Sequence, residues 1–393
     1  MNKKLGLLIA FIAGLLLFTS HALARADVPQ EIQDGVDGIL NQQQFDEWER
    51  LFGTLPEDVR NIWGDVNMRA LVSDYALGAG EYAGASLFEG VWSLFRDALP
   101  DLIPMLLGLL SVAIISGLLR AMADAGMQGI GDVAGFVCQC FGIGIAMTTF
   151  LSLAVLARDC IEQTAGFIEV AFPVLLTLLT AAGGIASAGI FQPAMVMLSS
   201  GVAVALQTVV LPIVLAGGVL GVLNNLTDRV QLSQLFQLSK TAAKWVIGLL
   251  FTLYFGVTTL QGLTAASLDG ISIRTAKYAM DKLIPIVGGV VSGTVDTVLG
   301  CAVLVKNAVG VTAIVVAFSI VLVPLLRIAA GMLAFRLAAA LCEPIGEPRL
   351  PKMLASLAEV LTYLFAAATA LSVMFIITVG LLIGTGNAAI VGG

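Results

Sequence analysis

The chain has 393 residues, of which 58% are hydrophobic and 12% are charged, and its net charge is −7. Soluble globular proteins carry roughly 25% charged residues, so this composition excludes an ordinary soluble domain. Several apolar runs approach the ~20 residues that a helix needs to cross a bilayer. A transmembrane β-barrel would need many short alternating segments, which the sequence lacks. The composition therefore predicts an all-α, polytopic transmembrane helical bundle.

The first 26 residues have the pattern of an export signal. Lys3 and Lys4 form a basic start, and the run LGLLIAFIAGLLLF forms an apolar centre. The run SHALARA then offers cleavage after Ala24 or Ala26. The alternative is an uncleaved first span. If the signal is cleaved, the chain from Asp27 onward begins outside the cytoplasm.

Side chains that enzymes and metal sites commonly use are scarce. The one histidine, His21, lies inside the predicted signal, so the mature chain would lack histidine-based triads and histidine-ligated metals. No cysteine falls in the predicted exported region, and we interpret Cys138 and Cys140 as small buried apolar residues. There is no phosphate-binding loop and no basic, aromatic face for nucleic acid. The sequence therefore predicts no catalytic residue, no metal and no cofactor.

An acidic region separates the signal from the first long apolar run. Residues 27–101 hold fifteen acidic and four basic side chains, whereas residues 102–393 hold twelve acidic and thirteen basic ones. Apolar residues recur at helical spacing in VPQEIQDGVDGIL, QQFDEWERLF and SLFEGVWSLFRDAL. The last of these either lies at the bilayer surface or packs on its neighbours. We predict a signal peptide over 1–26, an extracytoplasmic helical region over 27–100 and a multi-spanning domain over 101–393.

Eight apolar segments follow, and they predict seven or eight spans. The stretch around Pro212 is too long for one straight crossing and forms either one kinked helix or a broken pair. The segments are residues 102–119, 134–157, 167–187, 193–223, 245–264, 283–304, 308–335 and 355–385.

Small residues recur along these segments, and many of the 42 glycines are four residues apart. In lipid, glycines at this spacing let helix backbones approach closely, either within one chain or between the subunits of a homo-oligomer. The pairs are Gly131/Gly135, Gly217/Gly221, Gly289/Gly293 and Gly380/Gly384.

One stretch, PIVGGVVSGTVDTVLGCAVLVKNAVG, combines glycines with charged residues inside an apolar run. We interpret it as one span, a turn at Lys306–Asn307 where the lysine reaches the membrane surface, and the start of the next span. Asp296 lies far inside its segment, so it is either a buried polar helix contact or an ion-coupling site. The predicted helix-packing and assembly motif comprises Pro285, Gly288, Gly289, Gly293, Asp296, Gly300, Lys306, Asn307 and Gly310.

The elements IPIVGG, DTVLGC and KNAVG resemble the stage III sporulation protein AE family, and so does the order of signal, exported region and multi-spanning domain. The resemblance implies a non-enzymatic subunit of a channel or secretion-like complex that links mother cell and forespore during endospore formation. It implies a multi-pass protein of the mother-cell membrane around the forespore. Its partners would be the lipid bilayer and other membrane subunits, including a separate ATPase-like subunit. The alternative is an autonomous secondary transporter that uses Asp296 to couple ions.

Overall fold

The computed structural model describes residues 30–42, 68–77, 99–124, 128–226, 232–283, 288–345 and 349–391, together with the single residues 50, 53 and 96. Within 266–283 and 288–296, and at a few other positions, it describes the backbone alone. The described residues form helices and contain no strand, which confirms the predicted all-α class. The predicted signal peptide and the patterns QQFDEWERLF and SLFEGVWSLFRDAL lie almost entirely outside the described residues.

The helices of the described residues are numbered in chain order. They are α1 Gln30–Gln42, α2 Met68–Ala76, α3 Ile103–Asp124, α4 Gln128–Ala181, α5 Ile185–Val196, α6 Leu211–Leu226, α7 Ser233–Leu283, α8 Gly288–Cys342 and α9 Arg349–Val391. Short 3₁₀ turns, Pro100–Leu102 and Glu343–Ile345, precede α3 and follow α8.

Helix α1 confirms the helix predicted from VPQEIQDGVDGIL. Val36 and Leu40 are buried, whereas Asp34 and Asp37 on the other side of the helix are exposed. This is the arrangement expected when a 3.6-residue period places the apolar side chains on one stripe. Helices α1 and α2 use their apolar stripes to pack against α8.

A two-glycine turn reverses the chain between α4 and α5. Gly183 has a φ of 89°, a left-handed conformation that side chains rarely adopt. Its N–H donates to the carbonyl of Thr180, and the N–H of Gly184 donates to the carbonyl of Leu179. These two bonds satisfy carbonyl groups that the end of α4 would otherwise leave without a donor.

Helices α5 and α6 form one continuous rod, which settles the alternative left open around Pro212. Two π-helical segments, Met197–Val202 and Leu206–Val210, lie between them, with a single α-helical turn in the middle. A proline has no N–H, and its ring clashes with the carbonyl four residues earlier. The wider π-helical turn just before Pro212 relieves this conflict, so the helix continues through it.

Five of the described helical rods are long and apolar enough to cross a membrane: α4, the α5–α6 rod, α7, α8 and α9. A shorter apolar stretch, Ile103–Leu119, lies in α3. The rods join segments that the sequence separates, because α4 contains both 134–157 and most of 167–187. At 54 residues, α4 is about 80 Å long, well beyond the ~30 Å of a hydrocarbon core.

Helix α9 lies at the centre of this bundle. It packs antiparallel to α8, to which the short connection 343–348 joins it. It also contacts α4, where the ring of Phe375 lies 5.8 Å from that of Phe167 and 5.4 Å from that of Phe172. Its remaining sides contact α6 and α7. Each element of the candidate site described below is positioned against α9 or α8.

Candidate functional site

The structure describes part of the predicted assembly motif. Helix α8 runs without interruption, so four motif residues lie in its first three turns: Gly288, Gly289, Gly293 and Asp296. Pro285 and the side-chain surroundings of those four lie outside the described residues, and the roles predicted for them stay predictions. The part of the motif whose surroundings are described comprises Gly300, Lys306, Asn307 and Gly310.

Lys306 lies in the interior of α8, and the predicted turn at Lys306–Asn307 is wrong. The side chain of Lys306 is 1% exposed, so it is enclosed by the bundle and does not extend outward from it. Its Nζ donates to the carbonyl oxygens of Leu382 and Ile383 in α9, each at 3.2 Å. Carbonyl dipoles of a neighbouring helix thus solvate the ammonium inside the bundle, and the charge does not need to reach water.

Gly310 brings α8 close to α9 one turn after Lys306. A Cβ at Gly310 would lie 2.7 Å from Cγ1 and 2.8 Å from Cδ1 of Ile383, closer than real Cβ contacts. A larger side chain would therefore push the two helices apart where Lys306 binds the α9 carbonyls. Gly300 differs, because a Cβ added there would meet no heavy atom within 4 Å.

Helix α1 contacts α8 next to this motif. The Sγ of Cys301 lies 4.0 Å from the carbonyl oxygen of Ile32, and a Cβ at Gly35 would lie 2.8 Å from that sulfur. Ile39 packs against Ala302 and Val303. A helix from the predicted exported region therefore lies on α8 within two turns of Lys306.

Polar contacts that were not predicted from the sequence also join α9 to α7. Lys240 Nζ lies 2.8 Å from a carboxylate oxygen of Glu359 and 4.4 Å from the centre of the Phe236 ring. Tyr254 is fully buried, and its hydroxyl lies 2.6 Å from that of Thr378. No sequence signal pairs residues 119 or 124 positions apart. The single clue was that Lys240 and Tyr254 are polar groups on an apolar helix.

The described arrangement fixes the register of α8 on α9. A shift of one residue along either helix would move Nζ of Lys306 away from its two carbonyls and Gly310 away from Ile383. Within the described ranges, no three His, Cys, Asp or Glu side chains are placed to hold a metal ion. This geometry provides a close contact between α8 and α9 that the hydrogen bonds of Lys306 stabilise, with α1 at its edge.

Comparison with known proteins gives one family and one relative. Residues 66–386 match the family model of Stage III sporulation protein AE. The chain is 26% identical over 353 residues to the Stage III sporulation protein AE of Bacillus subtilis (strain 168). The aligned region covers 86% of this chain and 88% of that protein. No solved structure matches the chain. The matched range contains α2 to α8 and all but the last residues of α9.

Proposed function

Because this chain belongs to the stage III sporulation protein AE family, we propose that it is a non-enzymatic membrane subunit of a channel or secretion-like complex linking mother cell and forespore. In this proposal the protein lies in the mother-cell membrane around the forespore, with its N-terminal region outside the cytoplasm. Its partners are other membrane subunits of that complex, including a separate ATPase-like subunit.

The observation that carries the proposal is the family match across most of the bundle, from residue 66 to residue 386. Five long apolar rods make the chain a membrane protein, and the family gives it a role in sporulation. The contact between α8 and α9 supports a packing role for the motif, because Lys306 and Gly310 both act on a neighbouring helix. Close backbone approach is the means by which helices associate in lipid.

Gene deletion in the spore-forming host tests the role in the complex. We expect development to stop after engulfment, with spore yield restored by a copy of the full chain. A clean deletion that leaves spore yield normal would reject the proposal. Affinity purification of the tagged full chain from sporulating cells provides the second readout, and we expect other membrane subunits and an ATPase-like protein to copurify.

Reconstitution of the purified chain in liposomes separates the channel subunit from the autonomous transporter. A subunit that acts only within a complex moves no ion or solute by itself. If the purified chain transports an ion or solute alone, and Asp296→Asn abolishes that transport while the variant still folds, the transporter interpretation replaces ours. Folding of the variant is checked by size-exclusion chromatography.

A further inference from the structure

The exposed face of α4 changes character at Arg158. Before it, residues 133–155 expose six large apolar side chains: Val133, Phe136, Val137, Phe141, Leu151 and Val155. After it, none of the described residues 156–184 exposes a large apolar side chain. Among the residues that are exposed there, six carry charge or a hydroxyl group, and we call these six the polar face of α4. They are Arg158, Asp159, Glu162, Glu169, Thr177 and Thr180.

Helical geometry places the polar face in line with the apolar one. At 100° per residue, Leu151 and Glu169 are 18 residues, or five full turns, apart, so they point in the same direction about 27 Å from each other. Arg158 and Glu162 lie within about 40° of that direction. The change from apolar to polar therefore occurs along a single side of one helix.

Contacts with α9 fix the height of the polar face in the bundle. Phe167 and Phe172 of α4 contact Phe375, and Tyr254 of α7 contacts Thr378, only three residues further along α9. Glu169 of α4 is thus level with the stretch of α7 around Tyr254. The two helices pack on α9 from separate sides, with α5 and α6 in contact with both.

At that height the surface of α7 is suited to lipid. Residues 245–265 contain no charged residue, and 21 residues match the length of one crossing. The exposed large side chains are apolar: Trp245, Leu249, Leu253, Phe255, Val257, Leu260 and Leu263. An exposed apolar surface of α7 therefore lies at the level where α4 exposes Glu169.

We propose that the polar face of α4 borders a water-filled path through the membrane, while α7 faces lipid at the same height. Ionised side chains are strongly disfavoured in hydrocarbon and are found in membrane segments where they face water or a protein partner. The face holds three carboxylates and one guanidinium, so the path favours cations over anions. The inference rests on the proposed function for one point only, the complex to which the path belongs.

Thiol labelling in membranes tests the inference. The five native cysteines are replaced by alanine, and single cysteines are introduced as Glu169→Cys on α4 and Leu253→Cys on α7. Vesicles of host membrane carrying the full chain are treated with a charged, membrane-impermeant methanethiosulfonate reagent. Because the thiolate is the reacting form and needs water, we expect Glu169→Cys to react at least about tenfold faster than Leu253→Cys.

Equal, slow reaction at both positions would overturn the proposal, whether lipid or another protein covers α4. Thr177→Cys is the second α4 variant, since it replaces a small exposed residue and leaves the charges in place. Labelling after unfolding in detergent normalises each variant for the amount of protein. Labelling does not depend on spore yield. Fast labelling in a host whose deletion strain sporulates normally would reject the proposed function and keep the path.

Discussion

Helices α8 and α7 have similar lengths and both are apolar, yet they occupy opposite environments. Of the most apolar 18 residues of each helix, 72% are buried in α8 and 11% in α7. Helix α8 turns alanine and β-branched side chains such as Ala313, Ala317 and Ile320 into the core, whereas α7 exposes Leu249 and Leu253. In a bilayer, hydropathy alone does not separate core from surface. The size of the side chains, and the polar groups that they enclose, distinguish the buried helix from the exposed one.

The largest expected effect comes from reversing the buried charge of α8. We predict that Lys306→Glu prevents accumulation of folded protein, because a carboxylate would face the carbonyl oxygens of Leu382 and Ile383. Breaking a buried ionic arrangement costs about 3–5 kcal/mol. The measurement is the monodisperse fraction on size-exclusion chromatography in detergent. Lys244→Glu, on the exposed surface of α7, is the matched control. Equal yields of the two variants would contradict the comparison.

The next largest effect comes from comparing a crowded glycine on α8 with an open one on α7. We predict that Gly310→Leu destabilises the protein by about 1–3 kcal/mol, the usual cost of overpacking, because its side chain collides with Ile383. Gly256→Leu on α7 meets no heavy atom within 4 Å of its Cβ and is the control. Thermal unfolding in detergent measures both. A Gly310→Leu variant as stable as Gly256→Leu would show that the α8–α9 contact is loose.

The smallest expected effect tests the one face of α7 that packs inward. Thr378 donates its hydroxyl proton to the carbonyl of Met374, so Tyr254 donates to Thr378. Tyr254→Phe therefore leaves no donor unsatisfied, and we expect a loss of about 0.6–1.7 kcal/mol, as for other hydrogen bonds between membrane helices. Thr252→Val, whose hydroxyl bonds its own helix at Gly248, should leave the unfolding temperature unchanged. A larger loss in the control would contradict this assignment.

The helices, their apolar character and the family could all be predicted from the sequence. How the apolar segments join into long helices could not be predicted, and Lys306 shows why. A lysine in an apolar run resembles the boundary between two spans. The carbonyls that allow it to be buried lie 76 and 77 residues away, where the local sequence gives no sign of them. Arg158 was also misplaced: the sequence predicts a connection between the segments 134–157 and 167–187 there, and α4 continues through it. Local patterns report the cost of a charge but not the distant groups that offset it.

Part of the candidate site was also within reach of the sequence. Gly310 and Lys306 belong to the predicted motif, and both contact α9. The contact of Cys301 with α1 was not predicted, since nothing in either segment specifies the other. The same holds for the polar face of α4, whose residues become one surface only when the helix is known to be unbroken.

The contact between α1 and α8 also has a consequence for the timing of synthesis. Ile32 and Cys301, which meet there, are separated by 269 residues. At the ~5–20 residues per second of chain elongation, α1 leaves the ribosome roughly 13–54 s before its docking surface exists. During that interval Val36 and Leu40 have no α8 to cover them, while Asp34 and Asp37 keep the opposite side hydrated. The acidic side of α1 thus keeps this segment hydrated until α8, which lies late in the chain, has been synthesised.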